Sequence, residues 1–496
     1  MKQKFCVLLA LLMLLTSGCA QTADEADASD ASSAESDGIA SEIVEEEAEV
    51  TRVEDDLPEK DLGGWTMRIL SHHDSISDES TIYASELTGE TVNDALYNRD
   101  ATLKERFNCD FTVIPGNGWG DDQTMLTASV QAGSRDYDMS YQYPYATSGS
   151  CITRGILYNM LYVPYLNFNQ PWWHTNVNDL YTFFGYLPIV SSDYLITSYQ
   201  YANALIFNKV MAENYQCEDL YELVREGRWT QEKFAEIIEM FSSDLNGDGQ
   251  FTKDDSYGFA TNFGYHAITW GYAADELPVH IDKDGAITMG NNSERFFNTA
   301  EWLYGILYGG HSTFEIGWDM PCDIDWDQNR VFIQALWLAD LVKFRDCDSN
   351  YGILPYPKYN EEQEGYYTYM DARAGNMAIP IDIEKSTLEN VGLLMEALSC
   401  LNFNDVVPEY LNSVQNFKYA RDPESIEMLD YISAGRRWDI GYTFTNSGGI
   451  TWILRTDLKS SNGQLASKVA SLEKVTIKSF QKVMEAYEEL GARDWN

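Results

Sequence analysis

Between Trp65 and Tyr141 the chain alternates strand-like and helix-like runs, and that order leaves few folds open. Trp65-Thr66-Met67-Arg68-Ile69-Leu70 predicts a strand. Thr91 to Phe107 carries Val92, Ala95, Leu96, Leu103 and Phe107 at helical spacing, and Cys109 to Ile114 alternates like a strand. A short helix over Thr124 to Ala132 and a third strand over Tyr137 to Tyr141 complete a β-α-β-α-β series. Strands joined by helices return to the same edge of the sheet and run parallel, so an α/β domain is predicted. Leu205 to Lys209 predicts another strand. Thr230 is the expected N-cap of a helix whose body is Lys233 to Phe241. A hairpin is predicted for Val279 to Met289 around Asp282-Lys283-Asp284-Gly285, and a helix for Asn298 to Tyr308. Gly352 to Pro355 and Met377 to Pro380 read as strands flanking a Tyr-rich loop, and the chain is mostly helical from Ser386, ending with Val469 to Leu490.

Ahead of this body lie two segments of another kind. Lys2 and Lys4 precede an apolar run from Phe5 to Leu15, too short to span a bilayer, which takes ~20 apolar residues. Leu15-Thr16-Ser17-Gly18-Cys19 then resembles the lipobox of bacterial lipoproteins. The resemblance implies a signal peptide over residues 1–18 and Cys19 as the lipidated, palmitate-bearing residue, its sulfur accepting the lipid as a thioether. The protein is therefore expected at the extracellular face of the cell membrane, held by lipid. Residues 19–60 predict an acidic, disordered tether: Ala20 to Asp61 holds sixteen Asp and Glu against Arg52 and Lys60. The chain's net charge of −44 thus leaves about −32 on the folded part. Such a surface repels phosphate backbones, and nucleic acid is excluded as a partner.

Asp244-Leu245-Asn246-Gly247-Asp248-Gly249-Gln250-Phe251-Thr252-Lys253-Asp254-Asp255 is the sharpest internal motif. Asp244, Asn246, Asp248, Thr252 and Asp255 place side-chain oxygens at loop positions 1, 3, 5, 9 and 12. Gln250 offers its carbonyl at position 7, and Gly249 allows the sharp turn. This spacing wraps a chain around Ca²⁺, and a structural calcium clip is predicted over 244–255; the other reading is an acidic loop without metal. Six cysteines remain beyond Cys6 and Cys19, widely spaced and without C-x-x-C; free buried thiols are expected, with Cys322 and Cys347 the pair to test for a disulfide. No G-x-S-x-G, H-E-x-x-H or P-loop occurs, so no catalytic residue is assigned and the protein is not expected to be an enzyme.

Gly89 to Tyr97 leading to Glu105-Arg106-Phe107-Asn108, Pro171-Trp172-Trp173, Leu205 to Lys209, Leu220 to Thr230, the Asp244 loop with Tyr257-Gly258-Phe259, and Gly352 to Lys358 together resemble the solute-binding lipoproteins of bacterial ABC importers, in the carbohydrate-binding group that includes maltose-binding protein. The resemblance covers about residues 61–496. It implies a two-lobed, periplasmic-binding-protein-like fold of type II with the ligand cleft between lobes joined by a hinge. It places lobe 1 at 61–203 plus 352–403 and lobe 2 at 204–351 plus 404–496, with crossings near Tyr201 to Phe207, Gly352 to Pro357 and Leu401 to Val407. The implied partners are a small carbohydrate, expected to be an oligosaccharide, and the membrane permease; a monomer is expected.

Sugars offer C–H faces to aromatic rings and hydroxyls to planar polar groups. Trp172 and Trp173 either stack on a sugar ring or fill the core. The resemblance implies ligand contacts at Tyr141, Gln142 and Tyr143 after the third strand, and at Trp270, Trp337 and Trp452. Arg373 and Asp371 either bind hydroxyls or form an ion pair. Peptide or another solute in the same fold, and a surface glycosidase with two carboxylates, are the alternative functions.

Overall fold

A computed structural model describes residues 52–72, 82–116, 121–142, 149–317, 326–344, 347, 349–371, 373–416, 423–444 and 449–495. The signal peptide, Cys19, Tyr143 and Cys322 lie outside the described residues. Two main sheets are built from β1 (Trp65–Ser71), β2 (Cys109–Pro115), β3 (Met139–Gln142), β4 (Asn203–Asn208), β5 (Tyr257–Thr261), β6 (Thr313–Glu315), β7 (Val331–Trp337), β8 (Tyr351–Leu354) and β9 (Asn376–Ala378). The first sheet has the order β9-β3-β1-β2 and the second β8-β4-β7-β5-β6.

In the first sheet β1 pairs in parallel with both β2 and β3, and β9 closes the edge antiparallel to β3. Helix α1 (Thr91–Phe107) joins β1 to β2, and α2 (Asp121–Ala132) joins β2 to β3, the predicted β-α-β-α-β series. Leu103 and Phe107 of α1 are buried in one core cluster with Met67, Ile69 and Leu70 of β1, and Leu96 is buried in another with Ile196, Val406 and Val407. Asn108 turns the chain straight into β2 through a left-handed residue (φ 47°), a conformation that Asn tolerates better than most side chains. In the second sheet β5 runs parallel to β6 and β7, while β4 is antiparallel to β7 and β8. Thr230 caps α3 (Gln231–Met240) by accepting the Lys233 N–H, as predicted.

The crossings between the two sheets fall partly elsewhere than expected. The first runs through Tyr201 and Ala202 into β4. The second is not at Gly352 to Pro357: β8 pairs with β4, and the following stretch stays on the second lobe, where Gln363 donates to Ala273 O (2.8 Å) and Trp229 to Pro355 O (2.9 Å). The chain crosses only at 368–375, just before β9. The cause is register, since Gly352 lies so close to Phe207 and Tyr221 that only glycine fits. Leu401 to Val407 is no crossing either. Helix α6 (Lys385–Leu401) continues through a π-turn at Asn402–Val406 into α7 (Val407–Asn416), because Pro408 has no N–H for the carbonyl of Asn404 and the Val407 N–H bonds Asn402 O instead. Helix α8 (Pro423–Ala434) then packs on the second sheet, where Ile353 N–H donates to Ser425 Oγ (3.1 Å). The last helix, α9 (Ala466–Gly491), does not stay on lobe 2; its Tyr487 hydroxyl donates to Tyr181 O (3.1 Å) and its ring packs on Tyr186.

The expected tether of 19–60 does not describe its last residues. Residues 52–61 lie along the first lobe. Arg52 pairs with Asp405, the Val53 amide donates to Asn404 Oδ1 (3.0 Å), and Arg106 holds Asp55 through two bonds of 2.6 and 2.7 Å. Val53 and Leu57 pack on the core between these polar ties, which composition alone concealed. Among the described residues no helix is long and apolar enough to cross a membrane. A chain beginning at Pro58 is expected to lose about 2–4 kcal/mol of unfolding free energy, since Arg106 loses a nearly buried carboxylate and Val53 and Leu57 their contacts. Urea unfolding measures this; no change would mean the arm is tether after all.

Candidate ligand cleft

In α/β sheets ligand sites form beyond the carboxyl ends of strands, and at those ends of β5 and β7 lie His266 and Trp337. There the crossings are tied by a single side chain. Asn203 donates from Nδ2 to Tyr369 O (2.9 Å), which leaves its Oδ1 to accept from His266 Nδ1 (3.0 Å). This assigns the proton of His266 to Nδ1 and leaves Nε2 as an acceptor. Burial, reinforced by the charge of Arg373, pushes the His266 imidazole down to about 3, so it is neutral at any ordinary pH.

Around His266 the side chains form a continuous band. Its ring centroid is 4.8 Å from that of Trp337, and the Arg373 guanidinium lies 4.3 Å over Trp337 and 5.4 Å over Tyr201. Arg373 is buried, with Asp371 Oδ1 3.7 Å from its Nε, and its carbonyl accepts the Tyr141 hydroxyl (3.1 Å). Tyr265, next to His266, sits 6.4 Å from Trp337 and 3.8 Å beneath the guanidinium of Arg455. Arg455 also lies over Trp452 (4.6 Å), which continues through Tyr442 and Tyr369 to Tyr272. Tyr272 donates to Asp439 (2.7 Å), whose carboxyl also accepts the Gly441 and Tyr442 amides and is pushed up to about 6 by burial. A cavity of about 10 Å³, room for roughly one water, opens between Asn262, His266, Ile316, Trp337 and Asp340.

Trp337, Arg373 and Trp452 are thus brought together, with Tyr141 attached through the Arg373 backbone. Gln142 is buried opposite Asn376 in the sheet register, 3.8 Å from the Cys151 sulfur. Trp270 is elsewhere, in the core of the second lobe between Phe234, Trp302 and Tyr356. Trp172 and Trp173 belong to the first lobe's core. Their indole N–H groups donate to the two oxygens of one buried carboxylate, Trp172 to Glu396 Oε1 (3.0 Å) and Trp173 to Oε2 (2.9 Å), and the Asn167 amide adds a third bond (3.0 Å). The tandem Trp therefore answers a buried acid on α6 rather than a sugar ring. Sequence reasoning passed over Tyr265, His266, Tyr442 and Arg455; the spacing of Arg455 three residues after Trp452, one helical turn on, was the available signal.

The Asp244 loop holds itself. Asp244 accepts the Gly247 and Gly249 amides (both 2.7 Å), Asn246 Oδ1 the Asp248 amide (2.8 Å), and Asp248 Oδ1 the Gln250 amide (2.7 Å). Asp255 is turned beneath the loop, accepting from the Leu245 and Thr252 amides. Among the described residues no three His, Cys, Asp or Glu side chains converge as a metal site. Cys109, Cys151, Cys217 and Cys400 are free thiols, and Cys347 lies 3.0 Å from Asp327 Oδ1.

Comparison with solved structures gives this arrangement a class. The galacto-N-biose/lacto-N-biose I-binding protein of the ABC transporter from Bifidobacterium longum, in complex with lacto-N-biose, matches with a TM-score of 0.56 at 12% identity, covering 86% of this chain and 98% of that one. An ABC transporter solute-binding protein from Thermotoga lettingae bound with α-D-tagatose matches at 0.52 and 11%, covering 85% and 100%. A cyclo/maltodextrin-binding protein complexed with maltotetraose matches at 0.52 and 12%, covering 86% and 96%. No protein-family model and no curated protein matches the chain. The chain has the two-lobed α/β fold of solute-binding proteins, with the cleft between lobes joined by a hinge.

Burial pushes the Glu396 carboxyl up to about 7. Its unfolded value is lower, so between about pH 4.5 and 7 the unfolded chain has released a proton that the native protein keeps. Stability therefore falls as pH rises through that window and is level above it. Glu396→Gln is expected to flatten the fall of Tm between pH 4.5 and 7. An unchanged slope, measured by differential scanning calorimetry, would remove Glu396 as its source.

Proposed function

We propose that this protein is a lipid-anchored extracytoplasmic receptor that binds a carbohydrate and delivers it to the membrane permease of an ABC importer. The observation that carries the reading is the band of Tyr265, Trp337, Trp452, Arg373 and Arg455, set where the crossings of the two lobes meet. Aromatic faces receive the C–H faces of a pyranose, and the guanidiniums and His266 Nε2 receive its oxygens. Side chains from both lobes contribute, so a sugar bound there favours the closed arrangement over the open one, and the permease reads that difference. Cys19 carries the lipid, and the protein acts as a monomer. With no chemistry asked of the site, the ligand is released unchanged.

A thermal-shift panel of mono- and oligosaccharides with small peptides as controls tests the reading. Saccharides are expected to raise Tm and to quench or shift Trp fluorescence. Trp337→Ala should weaken saccharide binding at least about tenfold, whereas Trp270→Ala should lower Tm, the loss of a core Trp costing ~3–5 kcal/mol. Stabilisation by peptides alone, or turnover of a saccharide, would overturn it.

We also propose that the Asp244 loop takes up Ca²⁺. Each oxygen of Asp244, Asn246 and Asp248 that accepts one amide keeps a second lone pair, so with the Gln250 carbonyl these can turn to a cation, and Thr252 and Asp255, bonded to each other beneath the loop, complete the set by turning inward. Calcium is expected to raise Tm by a few degrees, and Asp248→Ala to abolish the rise. The same Tm in calcium and in chelator would dismiss the metal.

A further inference from the structure

The chain carries 78 Asp and Glu against 34 Lys and Arg, so a cationic side chain has more than two candidate carboxylates. Arg455 has taken none. Its guanidinium lies over Tyr265 (3.8 Å) and Trp452 (4.6 Å), half-buried, and it makes no hydrogen bond and no ion pair among the described residues. The nearest acid in sequence, Asp457, is turned away to Lys468 (2.8 Å) and Thr456 (2.6 Å). Across the Tyr265–Trp337 ring pair lies a second guanidinium, Arg373, paired with Asp371 Oδ1 at 3.7 Å. The acid beside Trp337, Asp340, is occupied by Lys343 (3.0 Å) and the Trp337 amide (3.4 Å). Two stacked guanidiniums therefore flank a pair of aromatic rings, inside a protein whose remaining surface is strongly negative.

Resting on the sugar-receptor reading above, we propose that the ligand is an acidic saccharide, and that Arg455 receives a carboxylate of it. Stacking fixes the plane of the guanidinium and leaves its N–H edge for two parallel bonds to a planar carboxylate, a geometry that a lone hydroxyl does not match. The rings between the guanidiniums take the pyranose faces. The negative surface around the cleft slows the approach of an anion, so the specificity resides in these local donors rather than in long-range attraction.

The test uses the mature chain with oligomers of galacturonate, mannuronate and glucuronate, each beside its methyl ester, and maltotetraose as a neutral control. Thermal shift finds the binders and calorimetric titration measures them. At least one acid oligomer is expected to bind about tenfold or more tighter than its ester, a hydrogen bond to a charged group exceeding one to a neutral group. Arg455→Gln should bring the two within about twofold, and Arg455→Lys should keep part of the preference; an unchanged Tm without ligand shows that both variants fold. Binding of maltotetraose or the esters alone, or an acid preference that survives in Arg455→Gln, would overturn this inference and leave the sugar receptor standing. No binding by any saccharide would overturn both.

Discussion

Everything at the cleft hangs on Asn203. It is the first residue of β4, reached as the chain leaves the first lobe, and it is almost fully buried. A buried amide left unpaired costs ~1–3 kcal/mol, so its partners are as constrained as it is. Its Nδ2 takes the carbonyl of Tyr369, its carbonyl accepts the Thr368 hydroxyl (2.6 Å), and its Oδ1 takes His266. One side chain thereby fixes the second crossing against the first and orients the loop after β5. Ala202 extends the tie, accepting the Leu338 amide and facing Met370. Trp337 and Arg373 adjoin these tied segments, so their contact follows from how the crossings are pinned.

The same logic separates what the sequence could show from what it could not. Helix α1 and the strands around it were legible because their signals are local: a stripe of apolar residues in the helix and alternation in β2. The Thr230 cap was legible for the same reason. The Trp172-Trp173 pair was not, because its meaning depends on Glu396, more than two hundred residues away, and nothing near the tryptophans announces a buried carboxylate. The crossing at 368–375 was hidden likewise: Gly352 to Pro355 looks like a strand on either lobe, and only the pairing of β8 with β4 assigns it. Arg455 failed to stand out because what distinguishes it, two rings beneath its guanidinium and no carboxylate among the described residues, is not displayed by a sequence. Trp337, Trp452 and Arg373, named from the sequence, lie together in the structure, while their neighbours Tyr265 and His266 were not named, since the pair follows β5, a strand the sequence reading did not assign.

Burial sets the charge states of the interior in a protein otherwise crowded with carboxylates. Asp439 and Glu396 are both pushed up, one behind Tyr272 at the cleft and one beneath the tandem tryptophans. Each is surrounded by donors rather than by cations, so desolvation outweighs hydrogen bonding. His266 responds to the same burial in the opposite sense and stays neutral. The positive charge beside His266 therefore comes from guanidiniums, Arg373 over Trp337 and Arg455 over Tyr265.

The N-terminal arm is held by the π-turn between α6 and α7. Arg52 and Val53 are tied to Asn404 and Asp405 in the π-turn, and Asn402 of the same turn accepts buried Arg99 (2.7 Å) and donates to the carbonyls of Asp193 and Tyr194. Pro408 forces this turn, and the turn frees the polar groups that the arm uses. All of these partners belong to the first lobe. Residues 52–57 are therefore part of the first lobe's fold, although their composition reads as acidic coil.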